Sequence, residues 1–370
     1  MSLTGRIAGV AAGAVAAAAV GSAARAAVTV NRRRRVIERR QDDHTPFGSL
    51  HSCPRTIVTS DGVPLHVEVD ELDQTDEQAL HHPGGAPVTL VFVHGYALNL
   101  DCWHFQRAAY RGLVRSVYYD QRSHGRSGRP GLAGLPDATI DQLGDDLLEV
   151  IDAVVPDGPV VLVGHSMGGM TIVALAEKHP ELFAPLAEGG RVIGAALIST
   201  TAGGLDPGRL LLPVVPAKIS GGLTHGAVRT LARGHKAVDG VRRIGRSIAT
   251  VATDAFAFGD EVPAAYVEFV DSMLSETPFE VVAEFFPSFR ALDKFDHVGA
   301  LGRVPTTIIC GTEDKLTSIG HSRKLHDRIP GSRLIECEGA GHMVILERHG
   351  QVNAALDQLL AAANRDAESA

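Results

Sequence analysis

The chain has 370 residues, 45% of them hydrophobic and 21% charged, a globular composition that excludes a fibrous or disordered protein. Its formal net charge is −8, yet residues 1–40 hold eight Arg and one Glu, so the remainder carries −15. An acidic body excludes nucleic acid as the main partner, because neutralising phosphates needs a basic surface.

At the N-terminus, residues 7–24 give eighteen small or apolar residues behind Arg6, and Arg32 to Arg35, Arg39 and Arg40 follow. Eighteen residues is the lower bound for a membrane span, and the arginine excess keeps the C-terminal side in the cytoplasm. Residues 1–40 are therefore expected to contact a membrane, with the rest of the chain on the cytoplasmic side. A stretch so rich in Ala and Gly inserts weakly, and lying on an anionic surface through its arginines is the variant of this reading. Two rivals stand: export with cleavage after Ser22-Ala23-Ala24, which the nearby arginines oppose, and a soluble cytoplasmic protein. Residues 41–54, polar with Pro46 and Gly48, read as a linker.

Residues 56–59 and 65–69 flank Asp61-Gly62 as the arms of a hairpin. Residues 88–93 are a continuous apolar run ending in His94-Gly95, the pattern of a buried parallel strand. Further strands are expected at 115–120, 160–163, Val192–Ile198, 306–310 and Arg333–Cys337, with helices at 141–155, 167–179, 319–329 and 347–364. The alternation predicts an α/β domain, a mainly parallel sheet with helices on both faces, built from residues 55–202 and 291–370. Residues 203–290 contain no strand-like run. They hold the apolar piece 210–216 and helical segments at 224–253, 263–275 and 278–290, and an insertion of that length is expected to be a helical cap. Cys53, Cys102, Cys310 and Cys337 are far apart, without disulfide or zinc spacing. Cys310 and Cys337 read as small buried hydrophobes.

Gly164-His165-Ser166-Met167-Gly168 lies between the strand at 160–163 and the helix at 167–179. A strand, a tight turn and a helix around G-x-S-x-G expose the serine hydroxyl at the turn. Ser166 is the candidate nucleophile, and it needs a base to take its proton. His342 meets that need, on the Gly-rich loop Gly339-Ala340-Gly341-His342 after the last strand. Asp314, after the strand at 306–310, is the candidate for orienting the imidazole and stabilising its cation; neighbouring Glu313 is expected to be solvated. Negative charge developing on a substrate oxygen needs two fixed donors. The backbone N–H groups of Met167, at the helix start, and Tyr96, after the strand at 88–93, are expected to supply them.

These motifs together resemble the α/β-hydrolase superfamily, in the group of esterases, lipases and cofactor-free haloperoxidase-like enzymes. The resemblance runs from about residue 55 to 364. It rests on V-F-V-H-G-Y at 91–96, Y-D-Q-R-S-H-G-R-S at 119–127, G-H-S-M-G-G at 164–169, G-T-E-D at 311–314 and G-A-G-H at 339–342. The basic N-terminal extension and W-H-F-Q at 103–106 resemble those of actinobacterial hydrolases. The resemblance implies an eight-stranded sheet and no cofactor. In such relatives the segment at 119–127 reads D-x-R-G-x-G-x-S, and here Ser123 stands at the first glycine; Asp120 and Arg122 are left out of the site as structural. Epoxide hydrolases and haloalkane dehalogenases carry an Asp where this chain has Ser166, which sets both aside. No metal, nucleotide or dinucleotide motif occurs.

The leading expectation is a serine hydrolase acting on a small-molecule ester, including acyl or lipid-like substrates, through an acyl-enzyme. The same triad also serves thioester or C–C bond hydrolysis, perhydrolysis and acyl transfer, since cap and pocket shape choose the acceptor. A reading of another class is an inactive binding module on the same fold, and the intact triad argues against it.

Overall fold

The structure, a computed structural model, describes residues 46–72, 87–130, 139–205 and 253–369. Eight strands are formed by Pro54–Val58 (β1), Pro64–Asp70 (β2), Thr89–Val93 (β3), Arg115–Tyr119 (β4), Val160–His165 (β5), Val192–Ile198 (β6), Thr306–Gly311 (β7) and Arg333–Cys337 (β8). They make one sheet in the order β1-β2-β4-β3-β5-β6-β7-β8. Strand β2 runs antiparallel to β1 and β4, and every other pairing is parallel. The strand–helix alternation predicts a mainly parallel sheet and the family resemblance implies eight strands, and both are found.

Helices cover both faces, and the strand sequences show why. Successive side chains of a strand point to opposite faces, and residues 90–93 of β3 and 160–163 of β5 are all apolar. Leu90, Phe92, Val161 and Val163 enter one core, while Val91, Val93, Val160 and Leu162 enter the other. Helices Ile140–Val154 and Met167–Lys178 supply Leu147, Val150, Ile151, Ile172 and Val173 to the second core. On the opposite face, helix His349–Ser369 contributes Val352, Ala355, Leu356, Leu359, Leu360 and Ala363, a stripe at helical spacing.

The insertion between β6 and β7 is closed at its neck. Gly203 and Asp293 form an isolated antiparallel bridge, and the Lys294 N–H donates to the Ala202 carbonyl at 2.7 Å. Within it lie helices Ala264–Glu276, Phe279–Glu284 and Phe286–Ala291. The last two occupy the single helix expected at 278–290; the run divides where Pro287, at the start of Phe286–Ala291, has no N–H to continue the ladder. The apolar piece 210–216 and all but the last residue of the helix expected at 224–253 lie outside the described residues.

Residues 46–53, read as part of a linker, are packed onto the domain. The Phe47 ring stacks on Phe269 at 4.7 Å and meets Tyr266 edge-on at 5.4 Å. The Ser52 N–H donates to Glu68 at 2.9 Å. Among the described residues no helix is long and apolar enough to cross a membrane; residues 1–40, which carry the expected membrane contact, lie outside them.

Candidate active site

Parallel strands deliver their C-terminal ends to one edge of the sheet, and the loops there carry the candidate residues. Ser166 follows β5 with φ 53° and ψ −118°, a sparsely populated backbone conformation that costs a non-glycine residue about 1–3 kcal/mol. Close packing enforces the turn. A Cβ at Gly164 would stand 2.5 Å from the Gly168 carbonyl oxygen, and one at Gly168 would stand 2.0 Å from that of Val93. The Ser166 N–H donates to the Ile198 carbonyl at 2.9 Å, and the Thr200 hydroxyl donates to the Ser166 carbonyl at 2.6 Å. The serine is thus pinned to the end of β6.

The structure brings Ser166, His342 and Asp314 together. His342 Nε2 lies 2.9 Å from Ser166 Oγ, and His342 Nδ1 lies 2.9 Å from Asp314 Oδ2. A proton on Nδ1 donates to the carboxylate and leaves the Nε2 lone pair facing the serine hydroxyl. Glu313 is exposed, as expected from sequence, and Asp314 is buried. Burial opposes ionisation of Asp314. The charge and hydrogen bond of His342, with the N–H groups of Leu316 and Thr317, outweigh it and hold the carboxyl below the usual carboxylate range.

Met167 opens the helix Met167–Lys178 directly after Ser166, and the first N–H groups of a helix have no partner in its own ladder. Tyr96 lies on the loop after β3, whose backbone reaches the serine: a Cβ at Gly95 would stand 3.1 Å from Ser166 Cβ. The Tyr96 ring packs edge-on against Phe289 at 5.0 Å and Phe285 at 6.0 Å, both from the insertion. The Thr277 hydroxyl, also from the insertion, donates to the Ala97 carbonyl at 3.1 Å. Asp120 and Arg122 serve the scaffold. Asp120 accepts the N–H groups of Leu100 at 2.7 Å and Arg126 at 2.8 Å, and Arg122 pairs with Asp146 at 2.6 Å and Asp61 at 2.8 Å.

Three supporting residues escape sequence reasoning. The Thr317 hydroxyl lies 2.9 Å from Asp314 Oδ2 and 2.7 Å from the Ser199 carbonyl, tying the acid loop to β6. The Gln121 side chain donates to the His94 carbonyl at 2.7 Å and accepts from Thr171 at 2.8 Å, joining the Tyr96 loop to the helix that follows Ser166. His165 is fully buried, and burial, then the nearby His342, lowers its pKa to about 3, so the ring is neutral. Only Thr317 leaves a local trace, since a threonine three residues after an Asp favours a side-chain-capped turn. Among the described residues no cluster of His, Cys, Asp and Glu is placed to hold a metal ion.

Compared with known families, residues 90–355 match the alpha/beta hydrolase family. Among curated proteins, the chain is 24% identical over 280 residues to the dihydrolipoyllysine-residue acetyltransferase component of an acetoin cleaving system from Pseudomonas putida. That match covers 73% of this chain and 62% of the relative, less than two thirds of its length. Identity is 28% over 272 residues to a non-heme chloroperoxidase of Kitasatospora aureofaciens, covering 71% of this chain and 86% of that protein. Among solved structures, the enol-lactonase from Burkholderia xenovorans LB400 superposes with a TM-score of 0.62 at 23% identity, over 83% of this chain and 100% of that one. This last likeness is one of fold.

Proposed function

We propose, from the premise that the chain belongs to the alpha/beta hydrolase family, that it is a serine hydrolase cleaving carboxylic esters through an acyl-enzyme. The observation that carries this reading is the relay of two 2.9 Å contacts from Ser166 Oγ through His342 to Asp314. Ser166 Oγ attacks the ester carbonyl carbon while His342 Nε2 takes its proton. Asp314 holds the imidazole tautomer and stabilises its cation. The N–H groups of Tyr96 and Met167 hold the oxyanion. His342 then protonates the departing alcohol, deprotonates a water, and that water releases the acid from Ser166.

The substrate is a small ester whose acyl part meets residues 203–290, acting as a cap. Supporting this are the contacts of Phe285, Phe289 and Thr277 with the Tyr96–Ala97 turn. Residues 1–40 place the enzyme at a membrane by their apolar stretch and arginines. A fluorophosphonate probe tests the reading: wild type labels, Ser166→Ala does not, and a panel of p-nitrophenyl esters of rising chain length then ranks the acyl groups. An unlabelled wild type would leave the inactive binding module in its place. The chloroperoxidase relative favours peroxide as a second acceptor, in which case acetate and hydrogen peroxide yield peracetate and water in a Ser166-dependent reaction.

A further inference from the structure

His342 stands between two residues whose N–H groups tie it to one short stretch of the insertion, one directly and one through a carboxylate. The Met343 N–H donates directly to the Ala257 carbonyl at 2.8 Å. The Gly341 N–H donates to Glu347 Oε1 at 2.8 Å, and the other oxygen of that carboxylate accepts the Gly259 N–H at 3.0 Å. Glu347 ends the short helix Val344–Glu347, one turn beyond the histidine. The two strips of backbone it joins are in contact: a Cβ at Gly259 would stand 2.6 Å from the Gly341 nitrogen, and one at Gly341 would stand 2.4 Å from that of Gly259. Outside this seam Arg348 pairs with Asp260 and donates to the Glu338 carbonyl at 2.9 Å.

We propose that Glu347 is a positioning residue for His342, its carboxylate bridging the histidine loop to residues 257–259 so that the insertion's footing sets where the imidazole stands. The assignment rests on the reading of His342 as the base. Once ionised, Glu347 suits the place because a carboxylate offers an acceptor on each oxygen and no donor, matching the N–H groups that approach from the two strips. An amide of the same length presents one acceptor oxygen and an NH₂ that cannot receive the second N–H. The consequence is directional: loosening the bridge moves the imidazole relative to Ser166 Oγ and slows the proton transfer, while leaving substrate binding to the rest of the pocket.

The test compares Glu347→Gln and Glu347→Ala with wild type on p-nitrophenyl butyrate, with sites counted by fluorophosphonate titration and folding checked by circular dichroism. Misplacement of a reacting group by about 1 Å can cost about 100-fold. The alanine variant is therefore expected to lose roughly 10–100-fold in kcat per titrated site, with KM within about twofold of wild type. The glutamine variant, keeping length and one acceptor, is expected to fall between them. It carries the test alone where the alanine variant does not fold. Wild-type kcat per site in both variants, or a loss confined to KM, would overturn the role while leaving the hydrolase reading intact. A wild type that neither labels nor turns over removes both together.

Discussion

The His165 ring donates from Nε2 to the carbonyl oxygen of His342 at 2.9 Å, so the residue beside Ser166 holds the backbone of the residue whose imidazole faces the serine hydroxyl. His165→Leu keeps the bulk and removes the donor. It is expected to lower kcat by about tenfold with little change in KM, the pattern of a lost orienting contact. Steady-state kinetics on a p-nitrophenyl ester checks this, and an unchanged kcat would reduce His165 to packing.

Replacing the relay itself has a larger effect. Ser166→Ala and His342→Ala are each expected to lower ester turnover by roughly 10⁴ or more, and Asp314→Asn by a comparable factor, with the double variants little worse than the singles. Glu313→Gln is expected to be near wild type, because Glu313 is exposed and Asp314 is buried against His342. If the two acids exchanged these phenotypes, the acid would be misassigned.

Ser123 sits at φ 66°, which accounts for the glycine that similar enzymes place there. Left-handed backbone costs a serine about 1–2 kcal/mol, while glycine's extra freedom in the unfolded chain costs about 0.4–1 kcal/mol. Ser123→Gly is therefore expected to stabilise the fold by about 0.5–1 kcal/mol, measured by urea unfolding.

Two carboxylates tilt the pH dependence of stability in opposite directions. Asp314 has its pKa lowered from the ordinary 3.8. The native state binds fewer protons there than the unfolded chain, so stability present above that pH is lost as pH falls. Glu347 is pushed by burial from 4.5 up to about 7, against the N–H groups of Gly259, Gly341 and Asp260 and the charge of Arg348. Its native state binds more protons between those values, so stability declines as pH rises from 4.5 to about 7. Melting temperatures across pH are expected to show a shallower acid edge in Asp314→Asn and a smaller decline toward pH 7 in Glu347→Gln.

What was legible in the sequence is what depends on near neighbours along the chain. The central strands could be read because a strand buried on both faces is a run of apolar residues, β1 and β2 because Asp61-Gly62 marks a hairpin, and the relay because each member sits on a glycine-marked turn at a strand end. The single long helix expected at 278–290 failed at Pro287, where a local rule was available and was outweighed by the apolar periodicity. Glu347, Gln121 and His165 act across the fold, on Gly259, Thr171 and the His342 carbonyl. No spacing rule links 121 to 171 or 259 to 347, since those pairs meet only after the sheet has ordered its strands.

The bridge between Gly203 and Asp293 brings the two ends of the insertion together beside β6. Closure entropy grows slowly with length, by about 0.6 kcal/mol for each doubling, so segments of very different size could be grafted at that junction without disturbing β6 or β7. Substrate range could then be re-engineered by exchanging the graft, provided each replacement carries its own equivalent of Ala257 and Gly259 to seat the histidine. A graft lacking that pair is expected to yield a well-folded, fully labelled and slow enzyme.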